Sequence, residues 1–401
     1  MSLAADLAAR LRDRIEQGEL QPGERLPPVR ELAATEHVAP SVAGKAYEIL
    51  QREGRLVSRV GRGTYVARGR EAGGSLVDLG PNRRPAAVSA TLDLQERLAA
   101  AARPGSVNLS AGLPLVDPEI ATAVGKELEA VVREAGAGLF GYGAPRGDVG
   151  LRELVAAAWR LRGLAIDAGE TLVTTSGQQA IDLAVRALVE PGDAVLCETP
   201  TYAGAIDALV AARAHIVPVP ADARGLDVDA VEAAMTAEGA RVLFVNPTGN
   251  NATGTVLEPA RREALARLSA RRGLVVIEDD TGAELVYEGA PPPPVAALDP
   301  EAPIVLVKSY AKTVLPGLRL GVIRAPADLE RRVLAAKMVA DRYTAPPLAR
   351  ALAGYLADPA AEHHLARVRA TYRGRRDAFL RALERRLGGR ATWLAPEAGF
   401  N

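Results

Sequence analysis

Apolar residues open the chain at every fourth position, Leu3, Leu7, Leu11 and Ile15, a spacing that predicts an amphipathic first helix. Gly18 stands where a left-handed cap would close it. A turn-rich link over residues 20–27 separates this helix from a short second one at about 29–34 and a longer third one at about 40–52. Pro40 suits a first helical position, where its missing N–H has no partner to lose, and Val42, Ala46, Ile49 and Leu50 make the apolar stripe. Gly54 ends that helix, and the period then drops to two. Residues 56–59 and 64–66 read as short strands on either side of a glycine hairpin tip at 60–63. Glycines crowd residues 69–74, the start of a linker that runs to about Pro104 and carries an alanine-rich helix at about 92–102.

From Asn108 onward apolar strands alternate with long helices, the rhythm of a βαβ sheet. Strands are expected at 172–175, 194–197, 214–218, 241–245, 274–277 and 304–307, and a helix at 180–189. The chain is therefore expected to be α/β. It would have a winged helix-turn-helix at residues 1–68, a linker at 69–104, and a mainly parallel sheet with helices on both faces at 105–401.

Composition narrows the picture. With 49 basic and 49 acidic residues, the chain does not coat nucleic acid or membrane over its whole surface, although a local basic patch is compatible with that balance. Arg52, Arg55, Arg59, Arg62 and Arg68 supply one on the wing side, where they could meet phosphates, with Arg30, Ser41 and Lys45 nearer a groove. The single cysteine, Cys197, sits in the apolar run 194–197, so it reads as a core thiol in a reducing, cytoplasmic setting. No apolar run approaches the length of a membrane span, and the four histidines lack metal-ligand spacing.

Candidate chemistry centres on residues 305–321. An apolar strand ends in a polar turn and presents Lys312. A Pro316-Gly317 turn then delivers Arg319 into a second apolar run. A lysine held at a buried sheet edge loses hydration, which lowers its pKa and suits its amine to Schiff-base formation. Ser309 and Arg319 beside it suggest an anion site, and an aldehyde that carries a phosphate, such as pyridoxal 5'-phosphate (PLP), fits both features. Ser176, Gly177, Gln178 and Gln179 open a helix whose first amides could hold that phosphate. Other strands end in the polar clusters 199–202, 246–249 and 278–280, and ligands of open α/β sheets gather at such ends.

Two resemblances follow from these residues. The runs Leu-Pro-Pro-Val-Arg-Glu-Leu-Ala (26–33), Ala-Tyr-Glu-Ile-Leu-Gln-Arg-Glu-Gly (46–54) and Gly-Arg-Gly-Thr-Tyr-Val (61–66) resemble the DNA-binding domain of the GntR superfamily of bacterial regulators. The strand-end clusters, with Tyr-Gly-Ala-Pro-Arg-Gly at 142–147, resemble the fold type I PLP enzymes of the aspartate aminotransferase superfamily over about 108–401. The second resemblance implies that Lys312 carries PLP as a Schiff base, Asp279 keeps the pyridine nitrogen protonated, Asn246 bonds the ring hydroxyl and Tyr202 stacks on the ring. It also implies that Ser176, Gly177, Gln178, Ser309 and Arg319 bind the phosphate, while Tyr142 reaches the phosphate of a partner subunit.

A GntR-type head on such a body resembles the MocR subfamily. That arrangement implies a DNA-binding transcriptional regulator, a head-to-tail homodimer in which PLP senses an amino compound or PLP itself. The alternative is a PLP-dependent aminotransferase with an N-terminal winged-helix extension. Three departures stand out. Where members of the aminotransferase-like family often have a tyrosine that bonds the ring hydroxyl, two residues after the aspartate, this chain has Thr281, so Asn246 is expected to hold the hydroxyl with less help. Ala39 and Pro40 replace the usual Ser-Arg at the start of the recognition helix, so base reading is expected to be weak or unusual. The family's substrate-carboxylate arginine has no counterpart before Asn401, so the small domain is expected to be incomplete and any aminotransferase activity doubtful.

Overall fold

The computed structural model describes residues 3–17, 19–21, 23–53, 55–59, 63–66, 90–101, 103 and 112–399. Gly18, Gly54, the hairpin tip at 60–62, Arg68, most of the predicted linker outside 90–101, Asn108 and Asn401 lie outside the described residues. The chain divides into two compact units, Met1–Pro85 and Ala86–Asn401.

In the first unit, helices α1 (Leu3–Glu16), α2 (Val29–Thr35) and α3 (Pro40–Arg52) precede an antiparallel hairpin, β1 (Leu56–Arg59) and β2 (Gly63–Val66). The buried face of α1 is Ala4, Leu7, Ala8 and Leu11, while Leu3 is 67% exposed. A strict four-residue spacing drifts by about 40° per step from the helical period, so the ends of the predicted stripe leave the contact face. Leu7, Leu11, Leu32, Ala46, Leu50, Leu56 and Val66 close one small core. Tyr47 Oη donates to the Pro27 carbonyl at 2.8 Å, tying α3 to the turn before α2. Gln51 Nε2 donates to Ser58 Oγ at 2.6 Å, and Ser58 and Thr64 hydroxyls meet at 2.8 Å, so the wing is pinned to the end of α3.

The second unit begins with α4 (Ala90–Ala101), α5 (Pro118–Ala135) and α6 (Val149–Leu161). Next come β3 (Thr171–Thr174), α7 (Gly177–Leu188), β4 (Ala194–Thr199), α8 (Ala203–Ala211), β5 (His215–Asp222), β6 (Gly225–Leu226) and α9 (Val228–Glu238). The rest is β7 (Val242–Val245), α10 (Pro259–Arg272), β8 (Val275–Asp279), β9 (Ile304–Ser309), β10 (Gly321–Arg324), α11 (Ala327–Ala340), α12 (Pro346–Ala357) and α13 (Ala360–Leu387). Among the described residues no helix is long and apolar enough to cross a membrane.

The strands form one sheet in the order β3-β10-β9-β8-β7-β4-β5-β6. Pairings from β9 through β5 are parallel, whereas β10 runs antiparallel to both β3 and β9. The second apolar run of the lysine segment is thus a strand in its own right. It returns down the sheet because only the short turn at 310–320 separates it from β9, too short for a parallel crossover.

Side chains alternate across the sheet, and both faces are apolar. Leu243, Val245, Leu306 and Val322 pack on one side against α6, α9, α10 and α12. Phe244, Val305, Val307 and Ile323 pack on the other against α7, α8 and α11. Burial on both faces explains why these strands read as continuous apolar runs.

Candidate functional site

Strands β4, β7, β8 and β9 all point the same way, so the turns that follow them converge at one edge of the sheet. There, seven of the predicted residues line a single cavity: Gly177, Gln178, Tyr202, Asn246, Asp279, Ser309 and Lys312. The sheet's two-residue period sorts the acidic run at the end of β8. Glu278 accepts from the Val295 and Ala296 amides at 2.9 and 3.1 Å, and Asp280 accepts from Arg162 Nη2 at 2.8 Å and Trp159 Nε1 at 3.1 Å. Both are absorbed by the fold, which leaves Asp279 facing the cavity.

Two nearby lysines are sorted in the same way. Lys308, within β9, is buried and ion-paired to Glu284 at 2.7 Å. Lys312, beyond the strand, faces the cavity. Burial lowers its pKa; Asp279 pushes it back up and Arg319 pushes it down. For Asp279 burial dominates and raises the pKa, against hydrogen bonds from Thr281, whose amide donates to Oδ1 at 3.1 Å. An amine and a carboxyl of opposite charge preference therefore share one low-dielectric pocket.

The walls are held from behind. Asn246 Nδ2 donates to the Asp279 carbonyl at 2.6 Å, and its own amide donates to Glu198 Oε2 at 3.0 Å. Burial pushes Glu198 up to about 7, with bonds from Asn246 and Asn250 acting in the opposite direction. The loop after Asn246 is clamped by buried Arg262, whose Nη2 donates to the Pro247 carbonyl at 2.5 Å and also to the Thr248 hydroxyl. Tyr202 precedes α8 as its N-cap, and burial raises its pKa. Gln178 Nε2 donates to the Gly204 carbonyl at 2.7 Å, which joins the starts of α7 and α8.

The start of α7 lies three residues earlier than its apolar pattern predicts, because Ser176 Oγ accepts from the Gln179 amide at 3.1 Å and caps the first turn. Its hydroxyl is thus engaged with the backbone. A side chain at Gly177 would come within 2.8 Å of Ser309 Cβ, and one at Gly321 within 2.6 Å of the Ser176 carbonyl carbon. Bare backbone is needed where β9, β10 and α7 meet. Ser309 Oγ accepts from the Ala311 amide at 3.3 Å.

Arg319 holds a left-handed φ of 51° and is exposed, and its charge reaches Lys312 and Tyr202. Tyr142 stands apart from the cavity, 93% exposed, with its ring edge-on to Tyr343 at 5.6 Å. Sequence reasoning missed several lining residues, among them Asn250, Asn251, Ala398 and Gly399. The asparagine pair directly after the 246–249 cluster was a legible signal. Ala398 and Gly399 were not legible, since they are brought back by contacts with distant residues: the Val286↔Ala398 bridge and bonds to Gly254, Leu285 and Tyr287.

In the first unit Arg30 on α2 and Ser41 and Lys45 on α3 are exposed. Ser41 and Lys45, four residues apart, share one helix face. The side chain of Arg59 and all of Arg62 lie outside the described residues. Arg25, which sequence reasoning passed over, lays its guanidinium group along the start of the wing: a side chain at Gly63 would come within 2.9 Å of its Nε.

A winged helix-turn-helix joined to an aminotransferase-type body defines a class of DNA-binding regulator. Comparison with known proteins agrees. The model for aminotransferase class I and II matches residues 104–401, and that for the bacterial regulatory proteins of the gntR family matches residues 3–66. The HTH-type transcriptional regulator YisV of Bacillus subtilis is 29% identical over 97% of this chain and 81% of its own length. The probable rhizopine catabolism regulatory protein MocR of Rhizobium meliloti is 28% identical over 97% and 78%. Among solved structures, the α-aminoadipate aminotransferase LysN of Thermus thermophilus, complexed with N-(5'-phosphopyridoxyl)-L-leucine, superposes with a TM-score of 0.67. It is 32% identical over 72% of this chain and 74% of that one. The chain belongs to the aminotransferase class I and II family and carries a GntR-type DNA-binding domain, the pairing found in MocR regulators.

Proposed function

We propose that this regulator holds PLP covalently through the Lys312 amine and changes its affinity for DNA when an amino compound, or PLP itself, occupies the body. The observation that carries the reading is one cavity in which Lys312 and buried Asp279 face each other beside the capped start of α7. The residues fit the cofactor. Gly177 leaves the first turn of α7 without a side chain where it lines the cavity beside Ser309, so backbone amides there are open to a phosphate. Bound PLP supplies an electron sink for bonds at the carbon that bears a substrate's amine.

The chain's own residues would do the rest. Asp279 keeps a ring nitrogen protonated, Tyr202 covers a ring face, Asn246 bonds the ring hydroxyl, and Ser176, Gly177, Gln178, Ser309 and Arg319 hold the phosphate. Arg30, Ser41, Lys45, Arg59 and Arg62 would contact DNA. A head-to-tail homodimer accounts for exposed Phe140 and Tyr142, the latter reaching toward a second copy's phosphate.

Reduction of PLP-loaded protein with borohydride, followed by peptide mapping, is expected to place a pyridoxyl group on Lys312, and Lys312→Ala to abolish it. DNA binding at full strength with no lysine adduct would leave the body as a dimerising platform only. Steady keto-acid formation from an amino donor would add aminotransferase catalysis to sensing.

A further inference from the structure

Behind the start of α7 lies a buried charge cluster that the site described above does not use. Lys337 on α11 is fully buried, and an ammonium group is several kcal/mol too costly to bury unpaired. Its Nζ lies 2.8 Å from Asp341 Oδ1 and 2.9 Å from Oδ2, and it donates to Thr344 Oγ1 at 2.8 Å and to Gln179 Oε1 at 3.3 Å. Burial lowers the lysine's pKa, while Asp341 acts in the opposite direction.

Gln179 is the third residue of α7. Its Oε1 accepts from the Thr175 amide at 2.8 Å and its Nε2 donates to Asp341 Oδ2 at 2.8 Å. Thr344 Oγ1 in turn donates to the Val173 carbonyl at 3.0 Å. The end of β3, the turn into α7 and the end of α11 are thereby cross-linked through one side-chain network. The turn that it grips, residues 175–177, is the one that presents the first amides of α7 to the cavity.

We propose that Lys337, Asp341 and Gln179 are positioning residues for phosphate: they set the direction of the α7 amides, and so the affinity for a phosphorylated ligand, without touching it. The inference rests on the PLP reading above. Because Lys337 and Asp341 together are neutral, orientation rather than added positive charge is the means. A displaced Gln179 would release the Thr175 amide and let the turn splay.

PLP and pyridoxal, which share the aldehyde and differ by the phosphate, separate this role from a merely structural one. Both are titrated by absorbance onto full-length wild type, Lys337→Met and Gln179→Ala. The last variant keeps the ion pair and guards against a failure of Lys337→Met to fold. PLP affinity is expected to fall about tenfold, the worth of one charge-assisted hydrogen bond, while pyridoxal affinity changes by less than about twofold. Equal losses for both ligands, or no loss for either in both variants, would overturn the proposal. Wild-type protein that binds neither ligand would overturn the PLP reading, and this inference with it.

Discussion

Glu198 shows how a single buried group shapes this protein. It is 1% exposed beneath the Asn246 loop, and burial carries its pKa from an ordinary 4.5 to about 7. Because the folded value lies above the unfolded one, the folded state holds the proton more tightly. The stability this provides is present at low pH and is lost as pH rises through that interval. Glu198→Gln, a permanent mimic of the neutral acid, should open a stability advantage over wild type of about 2–3 kcal/mol between roughly pH 5 and pH 7, constant above it. Urea midpoints measured across the range check this, and a pH-independent difference would contradict it. At the same scale the sequence already singled out Lys312, Asp279 and Asn246, since each is a polar residue just after an apolar strand. It was silent on Glu198, Arg262 and Lys337, because burial of a charged side chain depends on partners 15 to 158 residues away.

At the scale of elements, the junction of β9, β10 and α7 is the tightest part of the site. Gly321 begins β10 opposite Ser309, and an added Cβ would lie 2.6 Å from the Ser176 carbonyl carbon, 2.7 Å from the Gly177 nitrogen and 2.9 Å from the Lys308 carbonyl oxygen. All three are backbone atoms that no rotamer change can move. Gly321→Ala is therefore expected to destabilise the body by about 3 kcal/mol, and PLP retention should weaken with it. A thermal melt indistinguishable from wild type would refute this. Helices α2 and α3 keep their expected bounds to within one residue, whereas α7 is extended by its serine cap and α1 rotates its buried face away from Leu3. Local periodicity identifies such elements well, but their ends and exact faces are set by capping bonds and neighbours.

At the scale of the whole molecule, a chain of balanced charge, 49 against 49, carries a GntR-type domain on which basic side chains are locally exposed. Binding to DNA through such a patch should weaken steeply with salt, because each neutralised phosphate releases counterions. Arg30→Ala and Lys45→Ala should each lower the slope of log affinity against log salt by about one. Filter binding or anisotropy at several salt concentrations tests this, and unchanged slopes would remove both residues from the interface. Pro40, Ser41 and Val42 start α3 behind Ala39, which offers no side-chain cap. Helix α3 therefore begins without a side-chain cap of the kind that Ser176 gives α7.

The sequence by itself determined the two-part plan, the alternation of strands and helices, and the polar strand ends that hold the candidate chemistry. All of these are encoded in short-range periodicity and in residue types that water and hydrocarbon treat differently. Only the tertiary structure decided that Glu278, Asp280 and Lys308 are taken up by buried partners, that β10 inserts antiparallel between β3 and β9, and that Ala398 returns to the pocket wall. Those outcomes depend on strand register and on the pairing of buried charges, and both are properties of contacts between segments far apart in the chain.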